Sequence, residues 1–480
     1  MKSKTILFGA LFSLAACGGD TPKTGSNSTA PPPSSADSDT RPIIWLEGIY
    51  ATSSSPAHEV YDLFDDDPDT GWQTREGSGP DEGIMLYFTN AMPLRSVLVV
   101  PEAGSFQGED AFFQTYINGA LAAGGKPGDT IALKEKKLVK SLYIRFVRTG
   151  MEQIAKRDKD GAAVEIETFP SDSYIGIKTL NIFNDKGESL RLVPPKRVNG
   201  TLSASSTLEP ESAYSPANLF DARKEFVWVE GNKTSAGEGE TLSFGFEEPV
   251  NITAIQIWNG YQRSDEHFAA NARVRNFEFG LKDSTTAVYT LRDTKAGQKI
   301  ELSTSARGQQ FELKVKSIYP GSKYRDLAIS DLVFFDGERP FVLASKLPQQ
   351  NQAALRNKTG SSPLTQIFNR RISNSVEEAG VVTQQSLILR SDGTFVFYSN
   401  DMMPDGTESQ TLADGNWEMV SADAANFVIK VFGKWNNVSD FADYYRGKST
   451  QNVTRIFSDE LVTDGNTVRG KKVIGTFYVR

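Results

Sequence analysis

The sequence predicts an all-β chain: two antiparallel jelly-roll sandwiches in tandem, then a small C-terminal β-meander or barrel. Three observations carry that expectation. Apolar residues recur at every second position in short runs, as in "TLSFGF" (Leu242, Phe244, Phe246), "FELKVK" (Phe311, Leu313, Val315) and "SLYIRFV" (Leu142, Ile144, Phe146). Such alternation marks strands that bury one face. No stretch of either sandwich sustains a 3.6-residue period, and the 40 Gly suit a chain rich in turns. Finally, one set of motifs returns later in the chain in unchanged register.

That register is the firmest feature. Leu63 maps to Leu219, Phe64 to Phe220, Asp65 to Asp221 and Trp72 to Trp228, each 156 positions on. The offset holds through Gly83 and Gly239, Phe88 and Phe244, Pro93 and Pro249, to Phe112 and Phe268. Beyond Phe112 it drifts, then "IKTLNIFNDKGE" meets "ISDLVFFDGE". A shared register over some fifty residues reads as two copies of one module, 42–192 and 198–340. "VPPKRVNG" joins them, since adjacent prolines interrupt a strand.

Composition removes several function classes. With 480 residues the chain has room for two to four domains. A net charge of −8 supplies no basic face for nucleic acid. One Cys and two His, His58 and His267, exclude a disulfide framework and a Cys/His zinc site. They also argue against triad-type hydrolysis.

The single Cys lies in "MKSKTILFGALFSLAACGG". Lys2 and Lys4 precede a short apolar run, Ile6 to Leu14, too short to span a bilayer. Leu14-Ala15-Ala16-Cys17 then resembles the lipobox of bacterial lipoproteins, so residues 1–17 read as a signal peptide with Cys17 the lipidated residue. Several acyl chains hold a membrane more firmly than one. No later segment is long and apolar enough to span one. Residues 18–41 are almost wholly Gly, Ser, Thr, Pro and Asp and read as a disordered tether, roughly 25–30 Å between its ends. Gly18 after the Cys favours the outer membrane over the inner.

Residues 361–480 supply the C-terminal β-domain. "SLILRSDGTFVFYSND" is a strand, an Asp-Gly turn and a strand, with further strands in "GNWEMV", "NFVIKVFGKW" and "KKVIGTFYVR". This region resembles lipocalin-like small barrels of bacterial envelope proteins.

The second module carries a wider resemblance. "ASST", "NLFD" followed by Trp, "GEGETLSFGF", "NGYQRS" and "FAANARVRNFEF" resemble the discoidin-like, or factor V/VIII type C, fold. More narrowly they are similar to its NAD glycohydrolase translocation, or glycan-binding, branch. The first module keeps "LFDDDPDTGW" and "GIMLYF" but has "PEAGSFQG" where the second has Asn-Gly-Tyr. The resemblance implies a jelly roll that binds carbohydrate or another surface ligand through loops at one end, without turnover. It concerns the recognition domain of a toxin and supplies no NAD-cleaving site.

Two loops are candidate sites. In "DDDPDTGW", Asp65, Asp67, Asp69 and Thr70 offer oxygens for calcium, which takes roughly six to eight. Discoidin-like modules often hold a structural calcium near here. The plainer reading is a solvated turn, since Asp favours turns. The second copy, "FDARKEFVW", keeps only Asp221 and Glu225 of these acids. Trp72 and Trp228 are read as core. In "IWNGYQRSDEHFAANARVR", Trp258, Tyr261, Arg263, Glu266, His267, Asn271 and Arg273 combine aromatic faces with polar groups suited to a sugar. Against this stands a loop hydrogen-bonded to itself, with Asn259 and Asn271 as braces. In the first module Phe106, Gln107, Glu109, Asp110 and Phe112 occupy the comparable stretch. Beside glycan binding stand two other readings. One is a structural subunit of an envelope complex with a protein partner. The other is a hydrolase with paired carboxylates, for which spacing singles out no pair.

Overall fold

A computed structural model describes residues 39–480, apart from 56, 75–81, 107–110, 134–137, 149–154, 158–162, 167–173, 210–213, 285–286, 347–366, 368–370, 390–393, 406–407, 423–426, 440–452 and 479–480. Cys17, its lipobox and the tether lie outside the described residues. Residues 41–480 cluster as one compact unit. Nearly all of the described elements are β-strands, as expected.

In the first module a long strand, Glu82–Pro101, belongs to both layers. Its first half pairs with Ile43–Ala51 and Leu138–Arg148. After a register break its second half pairs with Gly176–Asn184 and Thr130–Ala132. The strand therefore carries the chain from one sheet to the other. Its buried face (Ile84, Leu86, Phe88, then Val97 and Val99) fills the space between them with Leu142, Ile144, Phe146, Leu180 and Ile182. Burying these side chains is the main drive for the fold, at about 1.5–3 kcal/mol for each large apolar group.

The second module repeats the plan. Thr241–Asn259 pairs first with Lys196–Ala204, then with Ala328–Asp336, and along its length with Gln298–Tyr319. In each module the opening strand lies parallel to the closing one: Ile43–Ala51 beside Arg191–Val193, and Lys196–Ala204 beside Arg339–Ser345. The alternating triplets behave as period two requires. Leu242, Phe244, Phe246, Phe311, Leu313 and Val315 are all buried. Phe279 stacks on Phe311 at 5.9 Å between centroids.

The repeated corner has one geometry in both copies. Val60–Phe64 and Pro216–Phe220 are 3₁₀ turns. Asp65 Oδ1 accepts the Asp67 N–H at 2.9 Å, and Asp221 Oδ1 accepts the Arg223 N–H at 2.7 Å. The intervening residues, Asp66 and Ala222, have φ of 62° and 59°. The Asp caps a left-handed step that would otherwise leave a backbone donor unpaired. Trp72 and Trp228 follow, fully buried, their indole N–H groups on the Ser53 and Ser206 carbonyls.

The C-terminal domain is an up-and-down meander. Eight strands from Arg371–Glu378 to Thr476–Tyr478 each pair antiparallel with the next. Its first and last strands meet through the Asn374 side chain, which donates to the Thr476 carbonyl at 2.9 Å. Trp417, Phe395, Phe397 and Leu461 form its core.

Candidate functional site

The loop that closes one end of the second module is built on a short helix. Ser264 Oγ accepts the His267 N–H at 3.1 Å and starts Asp265–Ala270. Gly260 enters the loop at φ 73°, where a Cβ would strike Phe268 and Arg273. Asn259 is fully buried and bonds both backbone groups of Val274, at 2.7 and 2.9 Å. It is the brace its position suggested.

The seven residues predicted here do not form one site. Three share one small cluster. The Tyr261 and His267 rings meet edge to face at 4.9 Å, and Arg263 Nη1 donates to the Tyr261 hydroxyl at 3.1 Å. Glu266 stands exposed on the same helix as His267. Burial, then the charges of Arg263 and Lys295, hold the His267 pKa below its ordinary value, with Glu266 opposing. The Arg263 Nε and Nη2 atoms are buried and have no hydrogen-bond partner among the described residues.

Two others are braces. Asn271 donates to the His267 carbonyl at 2.9 Å. Arg273 is buried, and its Nε and Nη2 fork grips Asp293 at 2.9 and 2.6 Å. Its Nη1 donates to the carbonyls of Asn271 and Pro320. Trp258 lies on the outer face of its sheet, 7% exposed, with the Lys224 ammonium 3.3 Å above its ring. It is no part of the loop cluster.

The acidic loop of the first module turns its acids inward on itself. Asp67 Oδ1 accepts the Asp69 N–H at 2.8 Å, and the Thr70 hydroxyl contacts both Asp65 oxygens at 2.9 and 3.0 Å. Asp66 pairs with Arg41 and Arg191. Among the described residues no three acidic, imidazole or thiol groups converge to hold a metal. Phe106 and Phe112 are core, while Gln107, Glu109 and Asp110 lie outside the described residues.

Residues 196–335 match the NAD glycohydrolase translocation F5/8 type C domain. No curated protein matches the chain. Solved structures similar to it include the family 32 carbohydrate-binding module of Clostridium perfringens NanJ in complex with galactose. That module is 12% identical with a TM-score of 0.23, over 28% of this chain and 93% of that one. The CBM32-1 and CBM32-2 domains of Clostridium perfringens ZmpB are 10% identical with a TM-score of 0.22, over 61% and 92%. A fucolectin from striped bass serum (Morone saxatilis) is 11% identical with a TM-score of 0.22, over 59% and 94%.

The second module also carries a polar network that sequence reasoning missed. Its loop "DARKE" enters the joint with the first module. Ala222 lies against Gly48, and Arg223 stands over the Tyr50 ring at 5.3 Å. Lys224 is held between Trp258 and the Tyr87 ring and pairs with Asp331, which is 1% exposed. Across the joint Glu47, equally buried, accepts from Gln256 at 2.9 Å and from Lys140 at 2.7 Å. Burial pushes the Asp331 carboxyl up to about 6 despite Lys224. Burial likewise raises Glu47, against Lys140, and raises Asp221 well above its ordinary value, with Asp331 adding to it. One signal was available: "SDLVFF" is apolar at Val333 and Phe335, on the face that a solvated sheet makes polar.

Proposed function

We propose that this protein is a bacterial envelope lipoprotein, anchored through Cys17, that binds a surface glycan without turnover. The loop of the translocation-type module is the binding element, and its ligand is a sugar bearing a carboxylate or sulfate. One observation carries this reading. The Nε–Nη2 edge of Arg263 is the edge that takes a carboxylate side-on, as the same edge of Arg273 takes Asp293. In Arg263 that edge is buried without an acceptor, which costs free energy until a partner supplies one. Tyr261 and His267 beside it provide aromatic surface for a sugar ring.

A glycan array probed with the full chain, followed by titration calorimetry, tests it. Acidic oligosaccharides are expected to bind, with Arg263→Gln and Tyr261→Ala each weakening them tenfold or more. Absence of any glycan binding, with neither variant altering capture of an envelope partner, would sink the reading. The anchor has its own test: Cys17→Ala should move the protein from the membrane to the soluble fraction. Outer-membrane residence follows from Gly18 and is checked by separating the two membranes.

A further inference from the structure

A cleft of about 490 Å³ lies between the two modules. One wall is Ile49–Ser55 with the turn Glu59–Tyr61; the other is Phe220, Asp221, Arg223 and the strand around Ala344. Its size and its place at a joint are those of small-ligand sites, which hold roughly 300–1,000 Å³.

Its charges are settled with one exception. Arg197 pairs with Glu59 at 2.6 Å and lies over the Tyr61 ring at 4.3 Å. Arg223 grips Glu225 at 3.0 Å. Asp221 is the exception. One oxygen caps the Arg223 N–H; the other takes no hydrogen bond among the described residues. The cause is visible in the first copy. There Thr70 gives its hydroxyl to both oxygens of Asp65, whereas the second copy has Phe226 at that position. The Asp is kept for its turn, its hydroxyl partner is gone, and it borders a cavity.

The lining also limits the ligand. Arg197 and Arg223 are each paired with a carboxylate, Glu59 and Glu225, and burial favours the neutral form of Asp221, so no net charge selects an ion. Polar Ser53, Ser54, Ser55 and Tyr61 line it together with apolar Val60, Phe220 and Leu343. A neutral ring rich in hydroxyls satisfies both kinds of surface. We propose that this cleft is a second binding site, for a neutral sugar of one or two rings, with a ligand hydroxyl bonded to the open oxygen of Asp221. It is independent of the loop around Arg263.

Saturation-transfer NMR and calorimetry on the full chain test it, with galactose, glucose, N-acetylglucosamine, lactose and galacturonate as probes. Asp221→Ser keeps a hydroxyl that can cap Arg223 and removes the open oxygen. It should weaken neutral-sugar binding about tenfold. Ala344→Trp fills the cleft and should abolish it. Arg263→Gln should leave it unchanged while reducing galacturonate binding at the loop. Unfolding temperatures of the variants are measured alongside, so that a misfolded variant is replaced by Ser54→Trp from the opposite wall. Neutral sugars that do not bind, that bind equally to both cleft variants, or that depend on Arg263 overturn the proposal. Loss of acidic-sugar binding alone strikes the loop reading and leaves the cleft intact.

Discussion

The loops 63–72 and 219–228 share a backbone and differ in what they face. Both are a 3₁₀ turn, an Asp-capped left-handed step and a buried Trp. In the first copy the step carries Asp66, Asp67 and Asp69, which remain exposed: Asp65 caps the Asp67 N–H, Asp67 caps the Asp69 N–H, and Asp66 pairs with Arg41 and Arg191. In the second it carries Ala222, Arg223 and Lys224, which enter the joint with the first module. The closing strands differ in the same way. Thr179 and Asn181 are half-buried on the outer face of Gly176–Asn184, while Asp331 and Val333, their counterparts, are buried. One sandwich frame thus serves two ends: its apolar interior is common, and its outer face follows its neighbour.

Removing Lys224 should break the comparison most severely. Lys224→Ala leaves Asp331 buried without its cation, at about 3–5 kcal/mol. Urea denaturation at pH 7.5 measures it. The pH dependence has a definite sign. The folded pKa of Asp331, about 6, lies above the ordinary 3.8, so the folded state holds that proton more tightly. Its stabilisation is complete below about pH 4 and is lost as pH rises through 6. The Lys224→Ala penalty should therefore shrink at pH 5. An equal penalty at both pH values would refute the buried pair.

Gly48→Val comes next. A Cβ there meets Ala222 Cβ at 3.0 Å and the Tyr87 ring at 3.3 Å, so about 1–3 kcal/mol is expected from overpacking. Ala222→Gly in the same chain should recover part of it. Failure of that rescue would mean the joint is not where the strain falls.

Asp65→Ala and Asp221→Ala test the common frame. Each removes the cap of a left-handed step, at about 0.5–2 kcal/mol. Asp65 should cost more, because Thr70 also loses one of its acceptors. The reverse order in thermal melts would contradict the shared geometry.

The smallest effect belongs to the acids of the first loop. Asp66→Ala breaks exposed pairs with Arg41 and Arg191, for less than about 1 kcal/mol. Millimolar calcium should move the unfolding transition by less than about 1 °C. A shift of several degrees, abolished by Asp67→Asn, would establish a calcium role for Asp65, Asp67, Asp69 and Thr70.

The sequence by itself determined the β fold, the doubled frame and the core. Period-two apolar runs and a constant offset are local or self-referential, and a strand's alternation states directly which face is dry. Leu242, Phe244, Trp72 and Asn259 stand where that logic put them. Only the tertiary structure decided which polar residues are free to bind. Arg263 and Arg273 look alike in the sequence, yet Asp293, twenty residues beyond Arg273, occupies one fork and leaves the other without an acceptor. Trp258 resembled a binding aromatic until Lys224, brought in from another loop, covered its ring. A polar side chain's role depends on the partner that reaches it, and that partner comes from a distant part of the chain.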